Sequence, residues 1–241
     1  MKLYYDLHIH SCLSPCGDDN MTPADIAGIG ALNNLSVMAL TDHNSCENCP
    51  AFFEACEFYG IVPIAGMELT TAEDIHVVCL FKSLSDALSF SDEVYERIMP
   101  IINKPDIFGN QNVCDTDGNI LKTVEKLLIS ATDITIEEAP RLVAKFNGIC
   151  YPAHIDRESN GIIAVLGDIP PEPGFFCSEF HDKNKIDQYK NQYPILNGHS
   201  FIFSSDAHRL SDINTDIHCF DIPNDHAYTV IDWIFKFISG A

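Results

Sequence analysis

The chain has 241 residues, of which 46 % are hydrophobic and 10 % aromatic, and its 14 Lys and Arg against 35 Asp and Glu give a formal charge of −21. That length and composition suit one folded α/β domain and exclude disordered and fibrous classes; the apolar runs are strand-sized and no basic-then-apolar leader opens the chain, so a cytoplasmic location without a membrane span is expected. The charge argues against nucleic acid as a bulk partner and against anionic membranes, while bound divalent cations would offset part of it.

Residues 2–9 read as an apolar strand, and His8 and His10 stand at its end with one residue between them. A period of two puts both imidazoles on one side, where they can serve a single metal ion. A loop follows, then Thr22 as a cap, Pro23 at the first helical position and Asp25 in the first turn, which predicts a helix over about 23–33. Residues 36–40 form a buried strand closed by Thr41-Asp42-His43-Asn44, and the pattern repeats with a helix over about 47–59 and a strand over 61–65 that runs out at Gly66-Met67-Glu68. A further strand over 75–81 begins beside His76, and a helix spans 83–99.

The segment 103–119 is rich in Asn, Asp and Gly, and its turns predict a surface hairpin or a lid that could bring Lys104 to a substrate. A short helix is expected over Leu121–Ile129, and the Thr135-Ile-Glu-Glu138 spacing predicts a capped helix to about Phe146. Strand 149–153 then delivers His154, the strand Phe175–Phe180 carries Glu179, and the strand Phe201–Ser205 ends in Asp206-Ala-His208-Arg209. Cys219–Ile222 is the last strand, and Tyr228–Ile238 a closing helix with Trp233 turned inward. Seven or eight strand-and-helix units without a linker or internal repeat argue for a single, irregular barrel over residues 1–241.

Ten cysteines do not amount to a disulfide-stapled fold at this length, and most sit in apolar settings as reduced core residues. Cys46-Glu-Asn-Cys49 has the spacing of a zinc or redox pair, but a structural zinc needs four ligands and there is no second such pair.

The ionisable residues at the strand ends are His8, His10, Asp42, His43, Glu68, His76, His154, Asp206 and His208. In α/β folds chemistry gathers beyond the carboxyl ends of strands, so a closed ring would place them around one cavity. Histidine with carboxylate, dispersed along the chain and without paired thiolates, favours a hydrolytic site for zinc, manganese or iron. Asp42, next to His43, fits an orienting role better than that of a ligand.

The stretches DLHIHS, TDHN, GMELT, HVVCLF, PAHIDR and SSDAH, in this order across essentially the whole chain, resemble the signature of the PHP (polymerase and histidinol phosphatase) family. The resemblance implies a distorted (β/α)7 barrel with two or three divalent ions and activity on phosphate esters. It implies that His8, His10, Glu68 and Asp206 hold one ion, and that Glu68 bridges to a second ion held by His76 and His154. His43 and His208 would belong to a third, whose remaining ligand would have to come from Cys16 or Asp18 in Ser14-Pro15-Cys16-Gly17-Asp18. A thiolate there would favour zinc or iron over manganese.

Two ions about 3.5–4 Å apart can acidify a shared water, neutralise phosphoryl charge and assist the leaving oxygen, so no Ser or Cys nucleophile is required. Arg157 and Arg209 follow ligand motifs directly and are expected to clamp phosphate oxygens, with Glu68 and His208 acting beside them. The expected function is a metal-dependent phosphoesterase acting on a small phosphorylated metabolite or nucleotide. Two alternatives stand beside it: an exonuclease-like phosphodiesterase on nucleic acid ends, and a non-catalytic metal-binding or partner-binding module.

Overall fold

The computed structural model describes residues 2–213, 218–222 and 229–240. Strand β1 (Lys2–Asp6) opens the chain, and helix α1 (Pro23–Leu32) follows, capped where Thr22 Oγ1 accepts the Asp25 N–H. Strand β2 (Val37–Leu40) leads to helix α2 (Cys49–Tyr59), which stops at Gly60, a left-handed residue at φ +70° where a Cβ would be strained. Strands β3 (Val62–Thr70) and β4 (His76–Phe81) come next, then helix α3 (Leu84–Arg97).

The 103–119 region forms a one-turn helix α4 (Pro105–Phe108) and a hairpin of β5 (Asn112–Cys114) with β6 (Ile120–Thr123). The expected helix over Leu121–Ile129 is therefore replaced by a strand and a loop. The hairpin is tied down: Asn112 N donates to Cys12 O, Cys114 N to Asn48 Oδ1, and Asn110 Nδ2 to Asp19. It buttresses the loop after β1, and Lys104 lies exposed, away from the site cavity.

Helix α5 (Ala139–Lys145) starts later than the Thr135 spacing predicts. Thr135 Oγ1 does accept the Glu138 N–H at 3.2 Å, but the residues between form a turn. Pro140 has no N–H to continue a ladder backwards and sits well only in a helix's first turn. Strand β7 (Gly148–Pro152), helix α6 (Ile162–Leu166), strand β8 (Cys177–Glu179), helix α7 (Ile186–Gln192), strand β9 (Ser200–Ile202), strand β10 (His218–Asp221) and helix α8 (Val230–Ser239) complete the order. The expected start of the last helix, Tyr228, lies outside the described residues.

Six strands form one curled, mixed sheet in the order β10-β1-β2-β3-β4-β7, half of a barrel, with β8 and β9 as a separate parallel pair. Backbone bonds from Ile155 N to Glu179 O (2.9 Å) and from His10 N to Ala207 O (3.0 Å) join that pair's ends to the ends of β7 and β1. The fold is thus a distorted half-barrel of mixed strands surrounded by helices, not one closed parallel ladder: β4 runs antiparallel to both β3 and β7. That reversal brings the first residue of β4, His76, opposite Thr70 at the end of β3. Strand start and strand end share one rim.

Both faces of the sheet are buried. Along β2, Met38 and Leu40 pack outward with Ile26 of α1 and Phe52 of α2, while Val37 and Ala39 face inward with Tyr5, Ile64, Val78 and Tyr151. Helix α8 lies against the inner face through Ile234, Phe235 and Ile238. The half-buried Trp233 ring is 5.2 Å from Phe220, which pairs with Leu3 at the start of β1, so the helix fills the end away from His8 and His10. No helix among the described residues is long and apolar enough to cross a membrane.

Candidate metal centre

The site is built at one rim of the curled sheet. His8 and His10 follow β1, where Ile9 bridges Ala207 on one side and its carbonyl accepts Thr41 N on the other. His43 follows β2 and bridges Glu68 in β3. His154 follows β7, and Asp206 and His208 follow β9. His154 (φ +26°) and Asp206 (φ +50°) hold left-handed backbone, which for residues other than glycine needs a surrounding structure that enforces it.

Glu68 stands at the centre. His8, His76 and His154 approach Oε1 at 3.2, 2.9 and 3.1 Å, and His10 and His43 approach Oε2 at 3.3 and 3.1 Å. Three groups of side chains have ligand atoms close enough to hold a divalent ion: His8, His10, Glu68 and Asp206; His43, Glu68 and His76; and His10, His43 and His208. His154 adjoins Glu68 without entering a group.

The donor chemistry fits cations. The Nδ1 of His8 meets Glu179 Oε2 at 2.8 Å, and an ionised carboxylate only accepts, so this nitrogen carries the proton. Ser14 Oγ donates to Asp42 Oδ1 and so accepts from His10 Nδ1 at 2.9 Å. Both Nε2 atoms are thereby turned toward the site, 3.2 Å from each other and within 3.4 Å of Asp206 Oδ1. Asp206 Oδ1 and His43 Nδ1 are buried and make no hydrogen bond. Lone pairs converging in this way are what a metal ion satisfies.

Burial alone would raise the carboxyl of Glu68, but the neighbouring His76 and His8 outweigh it and hold the group well below the usual carboxylate range. Burial opposes charge on His10 too, yet the adjacent carboxylates of Asp206 and Glu68 push it up to about 9, and Glu179, Asp206 and Glu68 likewise lift His8. Burial and the nearby His10 lower His208 to about 4 and take His43 well below its ordinary value. Without a cation, then, protons sit on His8 and His10 and must leave for an ion to bind. Metal titration at pH 7 is expected to release at least one proton, and fewer as pH rises through about 9, above which His10 is neutral without metal. Calorimetry in buffers of different ionisation enthalpy measures this; a heat independent of buffer would contradict it.

Several expected residues fall elsewhere. Asp18 is exposed, and its carboxylate accepts from Asn20 N and Nδ2 in a local turn. Cys16 is exposed and belongs to none of the three groups, so His10, rather than Cys16 or Asp18, completes the group of His43 and His208. Arg209 is exposed and does not line the cavity. Arg157 does line it, with its guanidinium on Asp206 Oδ2. Asp42 orders the loop through Ser11 and Ser14. The Cys46 thiol is buried against Gly66 O, outside any group among the described residues that could hold a metal. Glu179 and Ser14 were not anticipated, although Glu179 carries the same signal as the rest: an acid at the carboxyl end of an apolar strand.

A model of the PHP domain matches residues 6–169, more than half of the chain. The chain belongs to the PHP domain family. Its three His and carboxylate groups are candidate sites for divalent ions within that domain family's fold. No curated protein matches it in sequence.

Among solved structures, the lesion-specific endonuclease Q of Pyrococcus furiosus is 18 % identical, with a TM-score of 0.67 over 100 % of this chain and 56 % of that one. Endonuclease Q in complex with a 27-mer duplex carrying an abasic lesion at its active site gives 18 % identity and 0.66, over 100 % and 57 %. A protein of Bifidobacterium adolescentis assigned as a metal-dependent phosphoesterase gives 17 % and 0.51, over 85 % and 87 %. The PHP chain thus spans a little over half the length of the endonuclease Q chains.

The expectation that nucleic acid is unlikely as a bulk partner is corrected by the duplex complex: a protein that shares this fold binds a DNA duplex, with the lesion at its active site. Net charge governs long-range attraction, but salt screens it beyond about 8–10 Å, and what a site admits is decided by its local groups.

Proposed function

We propose that this protein hydrolyses phosphate esters at the rim centred on Glu68. The observation that carries this is the convergence of His8, His10, Glu68 and Asp206 lone pairs, joined by two further groups through shared Glu68, His10 and His43. Divalent ions, when bound, supply an acidified water and neutralise charge on the phosphoryl group. The residues that would hold those ions are His8, His10, His43, Glu68, His76, Asp206 and His208, and His154 borders the second group.

The cavity, of about 160 Å³, has His43, His154 and His208 in its wall together with Arg157, Ser159 and Asn160. It is smaller than the roughly 300–1,000 Å³ that encloses a whole drug-sized ligand. It suits a phosphoryl group whose remainder lies outside, and therefore the phosphate of a nucleic acid strand as well as that of a small metabolite. Arg157, about a third exposed, can turn from Asp206 to two phosphoryl oxygens.

The test is hydrolysis of p-nitrophenyl phosphate, nucleotides and an abasic DNA duplex by the Mn2+- or Zn2+-loaded protein; a fully metallated chain inert toward all of them would overturn the reading. Arg157→Ala is expected to lower kcat/KM by about 10²–10³-fold, as loss of a charge-stabilising donor does elsewhere, and unchanged kinetics would remove Arg157 from the site.

The reading takes residues 1–241 as one PHP-like barrel, supported by the pairing of β1 with β10 and the packing of α8 on the inner face.

A further inference from the structure

We propose that Glu179 is a positioning residue that sets two imidazoles of this centre at once, an inference that rests on the metal reading above. Its Oε2 accepts from His8 Nδ1 at 2.8 Å and from the backbone N–H of His154 at 3.1 Å. These partners follow different strands, β1 and β7, and Glu179 itself ends β8, so one oxygen spans three elements of the barrel. The first bond fixes the His8 tautomer and aims Nε2 at Glu68 and Asp206. The second pins His154 in its left-handed backbone conformation at φ +26°.

The rest of the carboxylate shows why it is there. Glu179 is 2 % exposed, and its Oε1 makes no hydrogen bond. A buried carboxylate with one oxygen unpartnered is costly as a purely structural element, because the lost hydration is only partly replaced. His8, with Nδ1 on Glu179 and Nε2 turned to Glu68 and Asp206, would pass the charge of a bound cation to this carboxylate through its imidazole. Carboxylates hydrogen-bonded behind metal-binding histidines work in this way, and removing one weakens metal affinity by about 10–100-fold.

The experiment is metal titration of the full chain with Zn2+ or Mn2+ alone, with stoichiometry by elemental analysis, for wild type, Glu179→Ala and Glu179→Gln. Glu179→Ala is expected to weaken the ion held by His8 about 10–100-fold and to leave at least one other ion at wild-type affinity. Glu179→Gln, which keeps an acceptor oxygen without the charge, should fall between. Wild-type affinity for every ion in both variants would overturn the proposal, and so would loss of all ions together in both, which would mark a general structural role. Should Glu179→Ala fail to fold, the Gln variant decides alone by the same criteria. A wild-type protein that binds no divalent ion would overturn the metal reading itself, and this inference with it.

Discussion

Glu68→Gln is expected to lower kcat/KM by on the order of 10³-fold or more, about 4 kcal/mol of transition-state stabilisation, and to reduce the bound metal by at least one ion per chain. Glu68 belongs to two of the three ligand groups, and five imidazoles reach its two oxygens within 3.3 Å. Glutamine preserves volume, so no cavity opens, but its NH2 presents hydrogens where an ion needs a lone pair. Its neutral amide also removes the negative charge that raises the affinity of His8 and His10 for cations and protons alike. Phosphate release from p-nitrophenyl phosphate and elemental analysis of the same preparation check both parts. Wild-type turnover at normal metal content would show that Glu68 is not the shared ligand.

Removal of metal by a chelator is expected to abolish hydrolysis, and Mn2+ or Zn2+ to restore it. The same treatment should lower thermal stability. An ion present at 100 times its dissociation constant stabilises the native state by about 2.7 kcal/mol, which for a chain of this length corresponds to roughly 5–11 °C in Tm. The physical cause lies in the convergence of His8, His10, Glu68 and Asp206, whose lone pairs face one another at 3.1–3.4 Å unless a cation or protons intervene. Melting curves of chelated and reloaded protein measure the shift; coincident curves and undiminished activity after verified metal removal would contradict the metal assignment.

The two predictions draw on residues that were legible to different degrees. His8, His10, His43, Glu68, His76, Asp206 and His208 could be singled out because each stands where an apolar run meets a polar loop, and strand ends are where an α/β fold exposes chemistry. Local rules failed where a distant segment competed. The Leu121–Ile129 stretch has no strong period of its own, and pairing with Asn112–Cys114 draws its first residues into a strand. The Thr135 spacing is a sound helix start in isolation, but Pro140 favours a start three residues later, at Ala139. Arg209 follows a ligand motif as Arg157 does, yet only Arg157 reaches the cavity, because sequence adjacency does not say to which side a loop residue turns.

The sequence by itself determined the family, the curled α/β architecture and the set of histidines and acids able to bind metal, since these depend on short-range pattern and residue chemistry. Only the tertiary structure decided how that set is divided. The reversal of β4 carries His76 to the same rim as the ends of β3 and β7. The approach of β9 to β1 sets Asp206 beside His8 and His10. His10, rather than Cys16 or Asp18, stands with His43 and His208. Glu179 lies 171 positions from His8 and meets it only when β8 closes against the ends of β7 and β1. Distances of about 3 Å between such remote residues are set by strand pairing and by packing of the buried faces, which spacing along the chain does not encode.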